Sequence, residues 1–289
     1  MAILRTEGLT YQYSEGTPFE KTAVDHVDLE IEEGEFVGVI GSTGSGKSTL
    51  MQHFNGLLKP TSGTAYFDGQ DIWADKAKLR EVRFQVGLVF QYPEYQLFED
   101  TVYKDIAYGP TIMGLTESEI KDRVIEAAQF AGLTEEQHSQ SPFALSGGQK
   151  RRAAIAGVMA LRPRVLILDE PTAGLDPMGR EDILGEIRDY HRKTGCTILL
   201  VSHSMEDVAK CAGKLLVMNK GKVFDYGDTS SVFRRSDELE AIGLAVPQIT
   251  KICNELRKRG IPLDDNIYTV KEACRQLVEC YKKGGTANA

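Results

Sequence analysis

Gly41-Ser42-Thr43-Gly44-Ser45-Gly46-Lys47-Ser48-Thr49 fits the pattern G-x-x-x-x-G-K-[ST], a loop that wraps the phosphates of a nucleoside triphosphate. Before it runs Phe36-Val37-Gly38-Val39-Ile40, apolar and β-branched enough for a buried strand. After it comes Leu50-Met51-Gln52-His53-Phe54, which suits a helix. Strand, glycine loop and helix form the context the motif requires. The glycines let the backbone turn tightly and aim successive N–H groups at phosphate oxygens. The helix start adds a partial positive charge and Lys47 a full one. Ser48 is placed to offer its hydroxyl to Mg²⁺.

Outward from this loop, the totals set limits. The 289 residues allow one large domain, or one domain with an appendage. A hydrophobic fraction of 42% and a charged fraction of 26% are those of a soluble globular chain. The net charge of −8 argues against an extended nucleic-acid-binding surface. Cys196, Cys211, Cys253, Cys274 and Cys280 form no C-x-x-C pair and read as reduced thiols. The N-terminal stretch has no signal-peptide core, and no run of about 18 apolar residues occurs, so any membrane role is expected to run through a partner.

Residues 2–40 alternate apolar and polar positions with turn-like breaks at 14–16 and 32–34, which predicts an antiparallel β-layer leading into the phosphate loop. Tyr13 has two open readings: a half-buried strand aromatic, or a face on which adenine stacks. Strand patterns recur at 64–68 and 86–90. Gln91 then falls at the carboxyl edge of the expected sheet, where such sheets bind ligands. The segment Tyr92-Pro93-Glu94-Tyr95-Gln96-Leu97-Phe98-Glu99 reads as an exposed, partner-facing loop.

From about 101 to 161 the pattern turns helical, with Thr116-Glu117-Ser118-Glu119 as a helix start. Within it lies Leu145-Ser146-Gly147-Gly148-Gln149, a serine and two glycines opening a helix, which makes a second anion site by the same logic as the first. Lys150, Arg151 and Arg152 read as a solvated helix face. Val165-Leu166-Ile167-Leu168 is a buried strand ending in Asp169 and Glu170. Asp169 is placed to hold Mg²⁺, and Glu170 to polarise the attacking water as general base. Asp176 lies in a tight loop before a helix and has an N-cap reading as well. His203 ends the strand 197–201 on the same edge as Gln91 and Glu170. A hairpin turning at Asn219-Lys220-Gly221 follows. The tail carries two amphipathic patterns, Ile249, Ile252, Cys253 and Leu256, then Val270, Ala273, Cys274, Leu277, Val278 and Tyr281, joined at Gly260-Ile261-Pro262. Either the main domain or another subunit is expected to cover them. The final residues, from Gly284, are expected to fray.

Phosphate loop, Gln91, Leu-Ser-Gly-Gly-Gln, Asp169-Glu170, Asp176 and His203 stand in the order of an ATP-binding-cassette (ABC) ATPase, which residues 1–228 resemble. The resemblance implies an α/β P-loop fold: a mixed sheet core, an antiparallel layer, a helical subdomain over about 92–161, and here a small helical extension over 229–289. It implies ATP and Mg²⁺ as cofactors, with Ser48, Gln91 and Asp169 toward the metal. By it, Tyr13 stacks on adenine and His203 meets the γ-phosphate. It also implies a head-to-tail pair of cassettes, in which Ser146 and Gly148 of one complete the site built on Lys47 of the other. More narrowly, Gly16-Thr17-Pro18-Phe19-Glu20, the Val89–Phe98 run and the helical extension resemble the second ATPase of energy-coupling factor (ECF) transporters, which import vitamins and transition-metal ions. That implies a non-identical partner cassette, an integral coupling subunit, a small membrane substrate-binding subunit and a place at the cytoplasmic face of the cell membrane. A groove with Glu94, Glu99 and Asp100 is expected to receive a basic helix of the coupling subunit. The competing expectation is a homodimeric cassette of another importer subclass. Cassettes of DNA repair need a coiled-coil arm longer than 91–145 allows, and translation-type proteins carry two cassettes in one chain.

Overall fold

The computed structural model describes residues 1–264 and 267–285. The two longest strands come first, β1 (Ala2–Tyr13) and β2 (Lys21–Glu32), and pair antiparallel. Their neighbours are β4 (Ser62–Phe67) and β5 (Gln70–Asp71), giving the order β2-β1-β4-β5. Val24, Val27, Leu29 and Ile31 of β2 are buried while alternate residues are exposed, as in a sheet with one wet face. The second sheet contains β3 (Phe36–Gly41), β6 (Val86–Val89), β7 (Val165–Asp169), β8 (Thr197–Val201), β9 (Lys214–Asn219) and β10 (Lys222–Asp228). Its order is β10-β9-β3-β8-β7-β6, parallel except for the terminal β10.

Every residue of β3, β7 and β8 is buried, because both faces of this sheet are covered. The two-residue strand period deals alternate side chains to two different cores. Val37 and Val39 of β3 join the antiparallel layer and Leu50, Met51 and Phe54 of α1 (Lys47–Phe54). Phe36 and Ile40 point the other way, into the helical side. That side holds α3 (Val102–Ile112), α4 (Glu117–Phe130), α6 (Gly147–Met159) and α7 (Pro177–Thr194); α2 (Lys76–Gln85) precedes β6, and α5 (Glu135–His138) is a single turn. The expected start of α4 is present as a reciprocal cap between Thr116 and Glu119. Phosphate loop, Gln91, Asp169-Glu170 and His203 all follow the carboxyl ends of parallel strands. Sheet topology therefore brings them to one edge.

Past β10, α8 (Met205–Cys211, before β9) is joined on the helical side by α9 (Thr229–Arg234) and α10 (Ser236–Ala241). Val232, Phe233, Leu239, Leu244 and Val246, within the expected extension, belong to the main core cluster, and Tyr268 packs against it. Beyond Val246, α11 (Gln248–Lys258) and α12 (Val270–Gly285) pack around Cys253, Leu263, Ile267 and Ala273 as a core of their own. The tail's predicted single face is split. Ala273 and Leu277 turn inward with Cys280, whereas Val270, Cys274, Val278 and Tyr281 turn outward, Tyr281 being 83% exposed. The inward positions are those that meet Leu263 and Ile267, which lie outside both helices and which no helical period announces. The expectation for the chain's end lies, beyond Gly285, outside the described residues.

Candidate active site

The phosphate loop closes around its lysine. Lys47 is buried, and its ammonium donates to the carbonyls of Gly41 (2.7 Å) and Ser42 (3.1 Å), within the loop built to hold phosphate. Burial pushes its pKa down, against the pull of Glu170 and Asp169. An anion in the loop would answer that desolvation directly. Gly46 has φ +100°, and a Cβ there would stand 2.2 Å from the Ala23 carbonyl, so only glycine fits. Gly41 is equally confined, its missing Cβ lying 2.4 Å from the Met218 carbonyl. Gly44 (φ +78°) has open space around it, while the Ser45 hydroxyl is buried without a hydrogen-bond partner. Thr43 is exposed, and Thr49 on the first turn of α1 hydrogen-bonds the Tyr13 hydroxyl at 3.2 Å. That bond anchors the Tyr13 ring at the loop's edge, edge-on to Tyr11 at 4.9 Å and 40% exposed. One end of Tyr13 is thus held by Thr49 while the residue stays 40% exposed, as the half-buried reading expects.

Ser48 donates a hydrogen bond to Asp169, whose pKa burial raises. A buried carboxylate beside a serine hydroxyl, with an amide oxygen available from Gln91, is an oxygen donor set of the kind Mg²⁺ takes. Glu170 sits one residue past β7 in left-handed backbone, φ +52°, which costs a non-glycine residue about 1–2 kcal/mol. The turn aims its carboxylate between two strand ends. Gln91 Nε2 donates to one oxygen at 2.7 Å, and His203 Nε2 lies 2.5 Å from the other. The three predicted catalytic residues are therefore brought into one cluster, with Asp169 and Lys47 beside it.

The Leu145–Gln149 motif is not part of this cluster. Ser146 caps α6 reciprocally with Gln149, and the first turn stands open. It shares a cleft with Gly174, Asp176, Met178 and Gly179, to which no residue of 41–49 contributes. Asp176 accepts from the Gly179 amide at 2.7 Å, so within one chain it acts as the N-cap of α7. Leu145 is buried beneath.

Three expectations are corrected here. Arg151 is not on a solvated face: it is 3% exposed, and its guanidinium grips Glu94 through Nη2–Oε1 (2.8 Å) and Nε–Oε2 (3.1 Å). Nη1 also donates to the Pro171 carbonyl (3.2 Å) and to that of Ala173. The sequence carried a signal for this. Arg151 is in helical phase with buried Ile155 and Met159. The second correction follows from the first. Glu94 lines a groove, but its carboxylate is taken by Arg151, and the groove is otherwise Tyr95, Leu97, Pro142, Phe143, Gly147 and Lys150. Glu99 and Asp100 do not line it; they lead into α3, where Asp100 accepts from Lys104 at 3.0 Å.

Arg152 also differs from expectation. It bridges α6 to Asp182 (3.4 Å) and Glu186 (2.9 Å) on α7 and to the Gly132 carbonyl. Burial raises the Glu186 pKa to about 7, outweighing Arg152, with Asp182 adding to the rise. The folded chain thus holds this proton more tightly than the unfolded one. The stabilisation is full below about 4.5 and is lost as pH rises through about 7. Melting curves at pH 5 and pH 8 should show the wild type losing more stability over that interval than Glu186→Gln; equal losses would remove the assignment.

An ABC transporter family model matches residues 24–173. The energy-coupling factor transporter ATP-binding protein EcfA2 of Caldanaerobacter subterraneus subsp. tengcongensis is 52% identical over 285 residues, covering 99% of both chains. EcfA2 of Clostridium tetani is 55% identical over 284 residues, covering 98% of this chain and 99% of its own. The chain belongs to the ABC transporter ATP-binding family, among the EcfA2 proteins. Solved structures agree. The cbiO1 protein of Clostridium perfringens, part of the ABC transporter complex cbiONQ, is 39% identical with a TM-score of 0.74, covering 88% of this chain and 99% of that one. The dimeric cassette MJ0796, bound to ADP and Pi after hydrolysis, is 28% identical with a TM-score of 0.71, covering 78% of this chain and 98% of that one. The cassette is thus an ATP-binding and ATP-hydrolysing subunit coupled to an ECF transporter, and it works in a complex with membrane subunits. Among the described residues no helix is long and apolar enough to cross a membrane.

Proposed function

We propose that this cassette closes head to tail on a second, non-identical cassette, with Mg²⁺ and ATP held between them, and drives uptake of a vitamin or transition-metal ion. The observation that carries this is the separation of two anion-binding half-sites. The phosphate loop and Glu170 share one cluster, while the open start of α6 shares a different cleft with Asp176. Each half then finds its complement on another subunit. Ser48, Asp169 and Gln91 would hold Mg²⁺, which supplies charge to the transferred phosphoryl group. Lys47 neutralises phosphate charge, Glu170 takes the proton of the attacking water, and Gln91 and His203 hold that carboxylate in place. ATP favours the closed pair because it touches both halves only when closed, and this differential affinity drives the membrane subunits.

The groove between Tyr95 and Phe143, which are 85% and 67% exposed, is the surface we assign to the integral coupling subunit. The outward stripe of α12, Val270, Val278 and Tyr281, is assigned to the partner cassette. With these surfaces so assigned, we infer a place for the chain at the cytoplasmic face of the cell membrane. Purification from membranes in mild detergent should bring down a second kind of cassette and a small integral substrate-binding protein. Recovery of a single kind of cassette with a periplasmic or lipoprotein-type binding protein would overturn the reading in favour of a homodimeric importer.

A further inference from the structure

Arg151 is a buried charge with an unusual set of neighbours. Glu94 lies three residues after Gln91, Pro171 and Ala173 lie between Glu170 and Asp176, and Arg151 itself lies one turn into the helix that Ser146 opens. One guanidinium therefore ties together the segments that carry Gln91, the general base, and the half-site offered to the other subunit. Its fork makes two bonds to one carboxylate and two to backbone carbonyls, a geometry that fixes orientation as well as distance. The Tyr92 ring stands under the guanidinium at 5.9 Å, and Tyr92 is itself held in left-handed backbone at φ +56°.

Glu94 of this pair lines the groove, with Arg151 buried behind it. Glu94 faces it from the loop after β6, next to exposed Tyr95, while Phe143 and Gly147 face it from the α6 side. A partner seated there bears on Glu94 directly and, through Gly147 and Lys150, on the helix that carries Arg151. Neither residue lies where substrate, phosphate or water reacts.

We propose that the Arg151–Glu94 pair is a positioning link that transmits occupancy of the Tyr95–Phe143 groove to the α6 half-site. The membrane-subunit part of this proposal rests on the transporter reading above; the link to the α6 half-site does not. A rigid bridge moves the loop after Gln91 and the start of α6 as one body. A severed bridge lets the groove move without the half-site following.

The test compares Arg151→Lys, which keeps the charge and loses the fork, with Glu94→Gln, which keeps the shape and loses the charge. Three quantities are read on the full-length chain. ATP affinity of the separate subunit should stay within twofold of wild type, because Lys47 and its loop are untouched. The ATP concentration for half-maximal association of cassettes should rise at least fivefold. In the reconstituted complex, stimulation of hydrolysis by the membrane subunits should fall at least tenfold. A purely structural role would lower melting temperature and reduce basal and stimulated hydrolysis by the same factor, and that result would overturn the proposal. So would unchanged association in folded Glu94→Gln. If the wild-type complex shows no stimulation, the transporter reading fails, and the association measurement alone still decides the link.

Discussion

Glu170→Gln is expected to slow ATP hydrolysis by about 10²–10⁴-fold, the usual worth of a positioned general base, while ATP stays bound and the closed pair accumulates. The reasoning is geometric. Gln91 donates to one Glu170 oxygen, and His203 flanks the other at 2.5 Å. A glutamine occupies the same volume and can still accept from Gln91, so the cluster keeps its shape and loses only its proton acceptor. Lys47, Ser48 and Tyr13 remain as they are, and nucleotide affinity should not fall. Single-turnover hydrolysis and sedimentation with ATP measure the two halves of the prediction. Turnover near wild type would show that the base lies elsewhere.

Gly148→Asp should do comparable damage by a different route. A Cβ at Gly148 meets no atom within 4 Å, so the substitution is accommodated. Acidic residues in a helix's first turn are favourable to the helix itself, and α6 should be as stable as before or slightly more so. Yet the new carboxylate stands where the phosphates held by the partner would lie. Hydrolysis at the shared site should drop at least a hundredfold, about 3 kcal/mol of barrier, with ATP binding to the variant's own phosphate loop unaltered. Loss of that binding would mean that α6 and the loop act on the same nucleotide within one chain, and the two-subunit site would be wrong.

The parts of this molecule that were legible in its sequence are those fixed by local rules. The phosphate loop states its own chemistry in nine residues, and the buried runs of β3, β7 and β8 announce a sheet covered on both faces. Thr116 with Glu119, and Ser146 with Gln149, are caps readable from spacing alone. What escaped depends on partners distant in the chain. A run of Lys150-Arg151-Arg152 looks like solvated charge until Glu94, 57 residues earlier, arrives to meet Arg151. Glu94 in turn looks like a surface acid for the same reason. The tail's helices were visible but their inward sides were not, since Leu263 and Ile267, outside both helices, complete the core with Cys253 and Ala273. Periodicity says that a face is apolar and leaves open which part of it is covered.

The left-handed backbone at Glu170 has an evolutionary side. Glycine would rest there with less strain, so the position is one where selection for turnover and selection for stability pull in opposite directions. While turnover is needed, the carboxylate outweighs the strain of its backbone. In a descendant that only had to bind ATP, glycine or asparagine would be tolerated at the cost of the Gln91 and His203 contacts. The residue after Asp169 is therefore the place to look for cassettes that have become passive halves of a pair.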